Sequence, residues 1–117
     1  MLRFWRATIN SWNGLIFAIR SEQAVREELA ALILALPAAW LVGATVMRAV
    51  ELVATVVLVL VVELLNTAIE KLADRLTMDR DPKIKHVKDM GSAAVGVTLI
   101  MAGLFWLFAI AERLGLI

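Results

Sequence analysis

Uncharged, mostly apolar residues fall into long runs that short polar segments separate. The two longest runs, 29–47 and 90–111, hold 19 and 22 residues without a formal charge. A helix needs roughly 20 apolar residues to cross the hydrocarbon core of a bilayer. A third run, 52–69, is rich in Leu, Val, Ala and Thr and is interrupted only by Glu63. The pattern predicts three transmembrane helices. They are expected over 28–47, 51–74 and 90–112.

The first 20 residues follow a different pattern, in which apolar residues recur at helical spacing between Arg and Asn. Trp5 and Trp12 lie among them, and Trp is enriched at the membrane–water interface. Such a segment is typical of an amphipathic helix that lies in the plane of the interface. We do not expect a signal peptide, because no apolar stretch of about 7–15 residues follows the basic start. Residues 1–27 are therefore predicted to form a surface helix and the entry to the first span.

Composition favours the same class of protein. Of the 117 residues, 62% are hydrophobic, whereas soluble domains are about 45–50% apolar. A chain this short cannot bury so much apolar surface in a core of its own. The absence of Cys excludes disulfides, thiolate metal sites and a Cys nucleophile. A net charge of +1 gives no reason to expect nucleic acid as a partner. We predict an all-α membrane protein in which 1–117 form a single domain.

Positive charges are distributed unevenly about the predicted spans. Ten of the twelve Lys and Arg residues lie before the first span, in the last turn of the second or between the second and third. Only Arg48 and Arg113 lie on the opposite side. Because Lys and Arg are enriched in cytoplasmic loops, we expect the N-terminus and the 77–88 loop in the cytoplasm and the C-terminus outside.

Four polar side chains share one face of the second predicted span. Glu63, Asn66, Glu70 and Asp74 fall within an arc of roughly 80° and over about 16 Å of helix. Glu70 and Asp74 could simply face water near a helix end. Glu63 is deeper, and a carboxylate there costs roughly 2.5–3.5 kcal/mol to insert, which favours a functional role. A neutral Glu63, hydrogen-bonded to a neighbouring helix for structural reasons, remains the alternative.

Further charged residues are expected at the same depth, just before the first and third spans. Glu22 lies just before the first span and Glu28 at its first residue, and Lys88 and Asp89 precede the third. Carboxylates at a water boundary could hold Mg²⁺, which prefers one or two carboxylates together with phosphate oxygens. Lys88 could supply a point charge to phosphate, although Lys also lies at membrane boundaries for purely structural reasons. Neither a Walker A motif nor a kinase Gly-rich loop is present.

These motifs together resemble the prokaryotic diacylglycerol kinase family. The matching residues are Glu63-Leu-Leu-Asn66-Thr-Ala-Ile-Glu70, then Asp74, then Lys88-Asp89-Met-Gly-Ser-Ala-Ala, and the similarity covers about residues 3–110. The resemblance implies a small bacterial inner-membrane kinase, active as a homotrimer with a surface helix and three transmembrane helices in each subunit. It also implies transfer of the γ-phosphate of MgATP to diacylglycerol, giving phosphatidic acid, at cytoplasmic active sites between subunits.

The resemblance further implies a role for individual residues. Glu63 matches the general base that takes the proton of the lipid hydroxyl, and Asn66 lies beside it. The nucleotide-binding positions are Arg3, Glu22, Glu70, Asp74, Lys88 and Asp89, and the metal ligands among them, for Mg²⁺, are Glu22 and Glu70. The lipid-side and supporting positions are Ser11, Trp12, Glu28, Glu63 and Ser92.

Two segments depart from the family pattern. Asp79-Arg80-Asp81 stands where the family often has a Tyr-His pair, so contacts from that loop to the adenine or ribose cannot be carried over. Glu27 replaces an expected Gln just before Glu28. The additional negative charge could alter metal affinity or the choice of substrate.

Two other functions remain open at this point. Undecaprenol kinase is a close relative within the family, although the Lys-Asp-Met-Gly-Ser-Ala-Ala string looks more like the diacylglycerol enzymes. A non-catalytic membrane scaffold or small ion carrier would also explain a helix with a carboxylate face.

Overall fold

The computed structural model describes all 117 residues, and the chain is all-helical, as predicted. Helix α1 comprises Leu2–Ser21, α2 Gln23–Val42, α3 Val46–Leu76 and α4 Pro82–Arg113. Each is bounded by a short non-helical segment, and no β-strand is present. The molecule is therefore built from helix packing alone.

Helix α3 is central, and α2 and α4 both pack against it in the antiparallel direction. Near the start of α2, Val25 packs with Leu60 from the middle of α3. At the other end, alanines from all three helices meet around Leu52 in a second buried cluster, and small residues let helices approach closely. The members of that cluster are Ala39, Ala49, Leu52 and Ala109.

Two of the four helices, α3 and α4, are long and apolar enough to cross a membrane. Their large hydrophobic side chains are mostly exposed on the single chain, as expected for helices that face lipid or neighbouring helices. Helix α2 has three charged residues near its start, which leaves the uncharged segment 29–42. At 1.5 Å per residue this segment is about 21 Å long, shorter than a hydrocarbon core of about 30 Å. The structure thus supports two of the three predicted spans.

The connection between α2 and α3 is tighter than the hydrophobic pattern predicted. Helix α2 ends at Val42, and Met47, the predicted end of the first span, lies in α3 instead. A Cβ atom at Gly43 would lie 2.8 Å from the backbone nitrogen of Ala49, so only Gly fits this close approach. The Thr45 hydroxyl then accepts a hydrogen bond from the backbone N–H of Arg48 at 3.0 Å and begins α3.

The predicted aqueous loop 77–88 is also shorter than expected, because α4 begins inside it. The Asp81 carboxylate accepts a hydrogen bond from the backbone N–H of Lys83 at 2.9 Å and a longer one from Ile84 at 3.4 Å. Pro82 occupies the first helical position, where its missing N–H costs nothing. Lys85 and Lys88 therefore lie on a helix, and the prediction of a loop through residue 88 was wrong.

A single non-helical residue separates α1 from α2. Glu22 has an extended backbone, with φ −124° and ψ 119°. The Arg26 guanidinium donates hydrogen bonds to the carbonyl oxygens of Ile19 at 2.8 Å and Arg20 at 3.2 Å. These bonds satisfy carbonyl groups that the end of α1 leaves free. Helix α1 otherwise keeps almost all its side chains exposed, with only Ala18 buried.

Charged side chains join α3 to α4 near the start of α3. Arg48 donates from Nε to Glu112 Oε1 at 3.0 Å and from Nη1 to Glu51 Oε2 at 2.7 Å. A further bond runs from Arg48 Nη2 to Glu112 Oε2 at 3.3 Å. The guanidinium carbon also lies 4.9 Å from the centroid of the Phe108 ring. We call these four residues the Arg48 cluster.

Candidate functional site

The polar face of α3 lies in a groove between α2 and α4. Leu64 packs in the cluster that joins α3 to α2, on the same side as Leu60. At about 100° per residue, these two leucines lie about 60–100° to one side of Glu63. Asn66 lies about 60° to the other side, where it meets Gly91 of α4. Glu63 therefore points between the two neighbouring helices.

Four carboxylates gather around this groove, and we call them the acidic cluster. They are Glu22, Glu28, Glu63 and Glu70. All four are half-buried, and the charges of the other three act on Glu63. Only Glu22 forms an ion pair, with Lys71 Nζ at 2.8 Å from its Oε1. Since one cation faces four carboxylates, the groove has a surplus of negative charge.

Asn66 connects the acidic cluster to α4. Its side chain is buried, and its Nδ2 donates a hydrogen bond to Glu70 Oε1 at 3.1 Å. A Cβ atom at Gly91 would lie only 2.2 Å from Asn66 Oδ1, so α4 reaches this depth because residue 91 is Gly. The Oδ1 atom has no hydrogen-bond partner in the chain. An unpaired buried acceptor costs about 1–3 kcal/mol, so packing alone does not account for an amide at this position.

A second polar group lies at the turn between α3 and α4. Lys88 Nζ donates to the Asp74 carboxylate, and Lys85 Nζ forms an ion pair with Asp89 Oδ2 at 2.7 Å. Beside them is an open cavity of about 560 Å³, lined mostly by residues of the turn and the first turns of α4, Lys88 among them. Ligand pockets commonly have a volume of about 300–1,000 Å³. The cavity is therefore large enough for part of a nucleotide.

Four of the predicted site residues lie apart from the acidic cluster. Arg3, Ser11 and Trp12 are exposed on α1, and Ser92 is exposed on α4. The Ser11 hydroxyl donates to the Ala7 carbonyl of its own helix at 2.9 Å. No hydrogen bond or ion pair links any of the four to the carboxylates. A single chain therefore gathers only part of the predicted site.

The sequence analysis missed one residue of this region, Lys71. Its Nζ contacts Glu22 and lies 5.2 Å from the centroid of the Phe17 ring. A signal was present in the helical spacing, because Lys71 follows Leu64 by seven positions and so shares the face that packs against α2.

The two predicted metal ligands are suited to a metal ion that takes its remaining ligands from phosphate. Glu22 and Glu70 offer the hard oxygen atoms that Mg²⁺ takes. Within one chain, no three His, Asp or Glu side chains come together as a metal-binding group. This donor set fits Mg²⁺ bound in part by the oxygens of a polyphosphate.

The fold and the site define a helical membrane protein with a carboxylate-lined groove suited to a cationic or metal-bound ligand. Comparison with known proteins names the family. The family model for "Prokaryotic diacylglycerol kinase" matches residues 9–110. The chain belongs to this family, which confirms the resemblance seen in its sequence motifs.

Individual relatives agree with the family match over most of their length. The diacylglycerol kinase of Escherichia coli (strain K12) is 36% identical over 113 residues, which cover 97% of this chain and 93% of the relative. That of Pseudomonas aeruginosa (strain PAO1) is 38% identical over 104 residues, or 89% of this chain and 85% of the relative. That of Haemophilus influenzae (strain Rd) is 33% identical over 100 residues, covering 86% and 85%.

Proposed function

We propose that this protein phosphorylates diacylglycerol with ATP and releases phosphatidic acid at the membrane surface. The observation that carries the proposal is Glu63, a half-buried carboxylate on a membrane-spanning helix that faces a groove with three further carboxylates. The names of the relatives supply the substrate, since each is called a diacylglycerol kinase. They also favour diacylglycerol over undecaprenol as the lipid alcohol.

The reaction needs a base where the lipid hydroxyl meets the nucleotide. Glu63 takes the hydroxyl proton as the lipid oxygen bonds to the γ-phosphorus, and the bond from that phosphorus to the bridging oxygen of ADP breaks. A positioned general base contributes typically 10²–10⁴-fold to a rate. Most of the remaining catalysis in phosphoryl transfer comes from positioning and charge neutralisation. Glu63 serves this purpose because it lies about two helical turns deeper along α3 than Glu70.

Nucleotide and metal bind at the shallower end of the groove. Glu22 and Glu70 would hold Mg²⁺, which neutralises the phosphate charge when it is bound. Asn66 orients Glu70 through the 3.1 Å hydrogen bond from its Nδ2. Lys88 and Asp74 lie beside the cavity at the turn, where Lys88 can exchange its carboxylate partner for a phosphate.

The remaining predicted residues complete the nucleotide and lipid sides. Arg3 and Asp89 belong to the nucleotide side. The lipid side comprises Ser11, Trp12, Glu28 and Ser92. Trp12, exposed on α1, is suited to anchor the surface helix at the level of the lipid headgroups.

A third span and an oligomer are part of the proposal. The uncharged segment of α2 is too short to cross a bilayer unless the bilayer thins locally or its flanking charged side chains reach the interface, and association with neighbouring helices helps to accommodate such a segment. Arg3, Ser11, Trp12 and Ser92 lie apart from the acidic cluster of their own chain. We propose that a homotrimer supplies them from neighbouring subunits, and chemical crosslinking in lipid should give trimers. Only monomers would contradict shared sites.

The uneven distribution of Lys and Arg supports an orientation in the bacterial inner membrane. In this orientation the N-terminus and the acidic cluster face the cytoplasm and the C-terminus lies outside. ATP then arrives from water and diacylglycerol from the bilayer, and the two meet at the groove.

A kinase assay with two lipids tests the function. Purified protein in mixed micelles receives MgATP with diacylglycerol in one sample and undecaprenol in a second, and the labelled lipid products are separated. We expect phosphatidic acid in the first sample and little product in the second. Exclusive turnover of undecaprenol would change the substrate, and no phosphorylation of either lipid would favour a scaffold or ion carrier.

A further inference from the structure

The ion pair between Lys71 and Glu22 lies at the position where the proposed function requires a metal. Lys71 Nζ is 2.8 Å from Glu22 Oε1, and both side chains are partly exposed, at 44% and 29%. Glu22 is one of the two carboxylates proposed to hold Mg²⁺. A carboxylate oxygen paired with an ammonium group is less available to a metal ion, because both cations draw on the same negative charge.

The backbone holds Glu22 in reach of Lys71. Glu22 is the one extended residue between α1 and α2, and the two hydrogen bonds from Arg26 to the end of α1 fix this corner. Lys71 lies on the face of α3 that packs against α2, directly after Glu70. The pair therefore follows from the fold of the corner and does not depend on a flexible loop.

Lys71 has a second favourable position close by. Its Nζ lies 5.2 Å from the centroid of the Phe17 ring on α1, within the range of a cation–π interaction. If a metal ion displaces Lys71 from Glu22, the ammonium group can remain over this ring. Displacement then costs less than releasing the cation without a partner.

We propose that Lys71 is a positioning residue that occupies Glu22 until Mg²⁺ binds and that competes directly with the metal. This inference rests on the proposed function, since it concerns the metal of that reaction. In the protein without nucleotide, Lys71 holds the Glu22 carboxylate in the groove and offsets part of the surplus negative charge. Binding of the metal moves Lys71 away from Glu22, so the pair sets the metal concentration that the protein requires.

Metal titration tests the competition without turnover. Mn²⁺, followed by electron paramagnetic resonance of the free ion, is titrated into the full-length protein alone and with a non-hydrolysable ATP analogue. Exposed ion pairs are typically worth 0.2–1 kcal/mol, so Lys71→Met should lower the Mn²⁺ concentration at half-saturation by about 1.5- to 5-fold. Lys71→Arg, which keeps the ion pair, should resemble the wild type. Thermal unfolding of each variant shows that the fold is kept.

Two controls separate competition at Glu22 from a general effect of charge. Lys83→Met removes the same charge from an exposed site on α4, and it should leave Mn²⁺ binding unchanged. In a Glu22→Gln background, which itself should bind Mn²⁺ more weakly, Lys71→Met should have no further effect. The difference between the two backgrounds isolates the pair.

The inference is overturned if Lys71→Met leaves Mn²⁺ binding unchanged or weaker, or if its effect is the same in both backgrounds. Failure of wild-type protein to bind Mn²⁺ even with the nucleotide analogue would also overturn it. Lipid phosphorylation by the wild type is measured separately. If the wild type phosphorylates diacylglycerol while Lys71→Met shows no change in Mn²⁺ binding, only the role of Lys71 fails.

Discussion

Charged side chains occur near both ends of α3, but the two groups balance their charges differently. In the Arg48 cluster, one guanidinium contacts both nearby carboxylates through three hydrogen bonds. In the acidic cluster, four carboxylates share a single ammonium group, and only Glu22 contacts it. The first group joins α3 to α4, whereas the second leaves a groove with unbalanced negative charge.

This difference separates a structural group of charges from a candidate site. Paired and hydrogen-bonded charges at partly buried positions satisfy one another and need no ligand. Carboxylates that lie together without enough cations repel one another and reduce the stability of the fold. Such an arrangement is typical of a site that receives a cation as part of its function.

Glu63→Gln is the strongest test of the difference between the acidic cluster and the Arg48 cluster. This near-isosteric change removes the proposed base, so kcat for lipid phosphorylation should fall by about 10²–10⁴-fold. Phosphorylation of diacylglycerol is measured in mixed micelles, and far-UV circular dichroism should show an unchanged helical content.

The matched control is Glu51→Gln, the same change in the Arg48 cluster. It should leave kcat within about twofold of the wild type, because a structural ion pair affects the fold more than the chemistry. An equal loss of activity in both variants would contradict the distinction between the two groups.

A smaller effect on activity is expected from Lys88→Met. Loss of a hydrogen bond from a charged group to phosphate costs about 1.5–3 kcal/mol, so KM for ATP should rise by about tenfold or more. The change in kcat should be smaller, since Lys88 lies away from the reacting hydroxyl. Steady-state kinetics with varied MgATP measure both constants. An unchanged KM would remove Lys88 from the nucleotide site.

Gly91→Ala tests the close contact between α3 and α4. The new Cβ would lie 2.2 Å from Asn66 Oδ1, so α4 must shift, and overpacking of this kind costs about 1–3 kcal/mol. Unfolding in a titration with sodium dodecyl sulfate measures the change. Gly96→Ala is the control, because its Cβ would meet no atom within 4 Å, and it should be neutral or slightly stabilising. Equal stability of the two variants would contradict the close contact.

The smallest effect on the reaction is expected from Arg48→Met. This change removes the hydrogen bonds to Glu51 and Glu112, so the thermal unfolding temperature should fall by a few degrees. Activity per folded molecule should be retained, because the Arg48 cluster lies at the opposite end of α3 from the proposed nucleotide site. A selective loss of activity without loss of stability would give this cluster a part in catalysis.

Much of the helical order could be predicted from hydrophobic runs, while the helix ends could not. Runs of apolar residues indicate which segments lie within the membrane. A helix, however, ends where the local hydrogen bonds of the backbone change. Thr45 begins α3 and Asp81 begins α4, and both are short polar side chains that accept backbone N–H bonds. The Asp81-Pro82 pair is itself a sequence signal for the start of a helix. The high polarity of the segment favoured a loop there instead.

The candidate site was predictable where it follows one helix and less so where helices meet. The spacing of Glu63, Asn66 and Glu70 places them on one face whatever surrounds α3. Contacts between helices depend on packing that spacing does not contain. Spacing places Lys71 on the face towards α2, but its contact with Glu22 and the contact of Gly91 with Asn66 emerged only from the structure.

The tight connection at Gly43 gives the groove a mechanical property. Helices α2 and α3 are joined there at one end, and Glu70 lies about 36 Å further along α3 from Val46. A change of about 1° in the angle between the helices would therefore move the far end by roughly 0.6 Å. Since a misplacement of about 1 Å can cost on the order of a hundredfold in rate, the catalytic rate should be sensitive to any substitution that changes the angle between α2 and α3 and so the distance between Glu22 and Glu70.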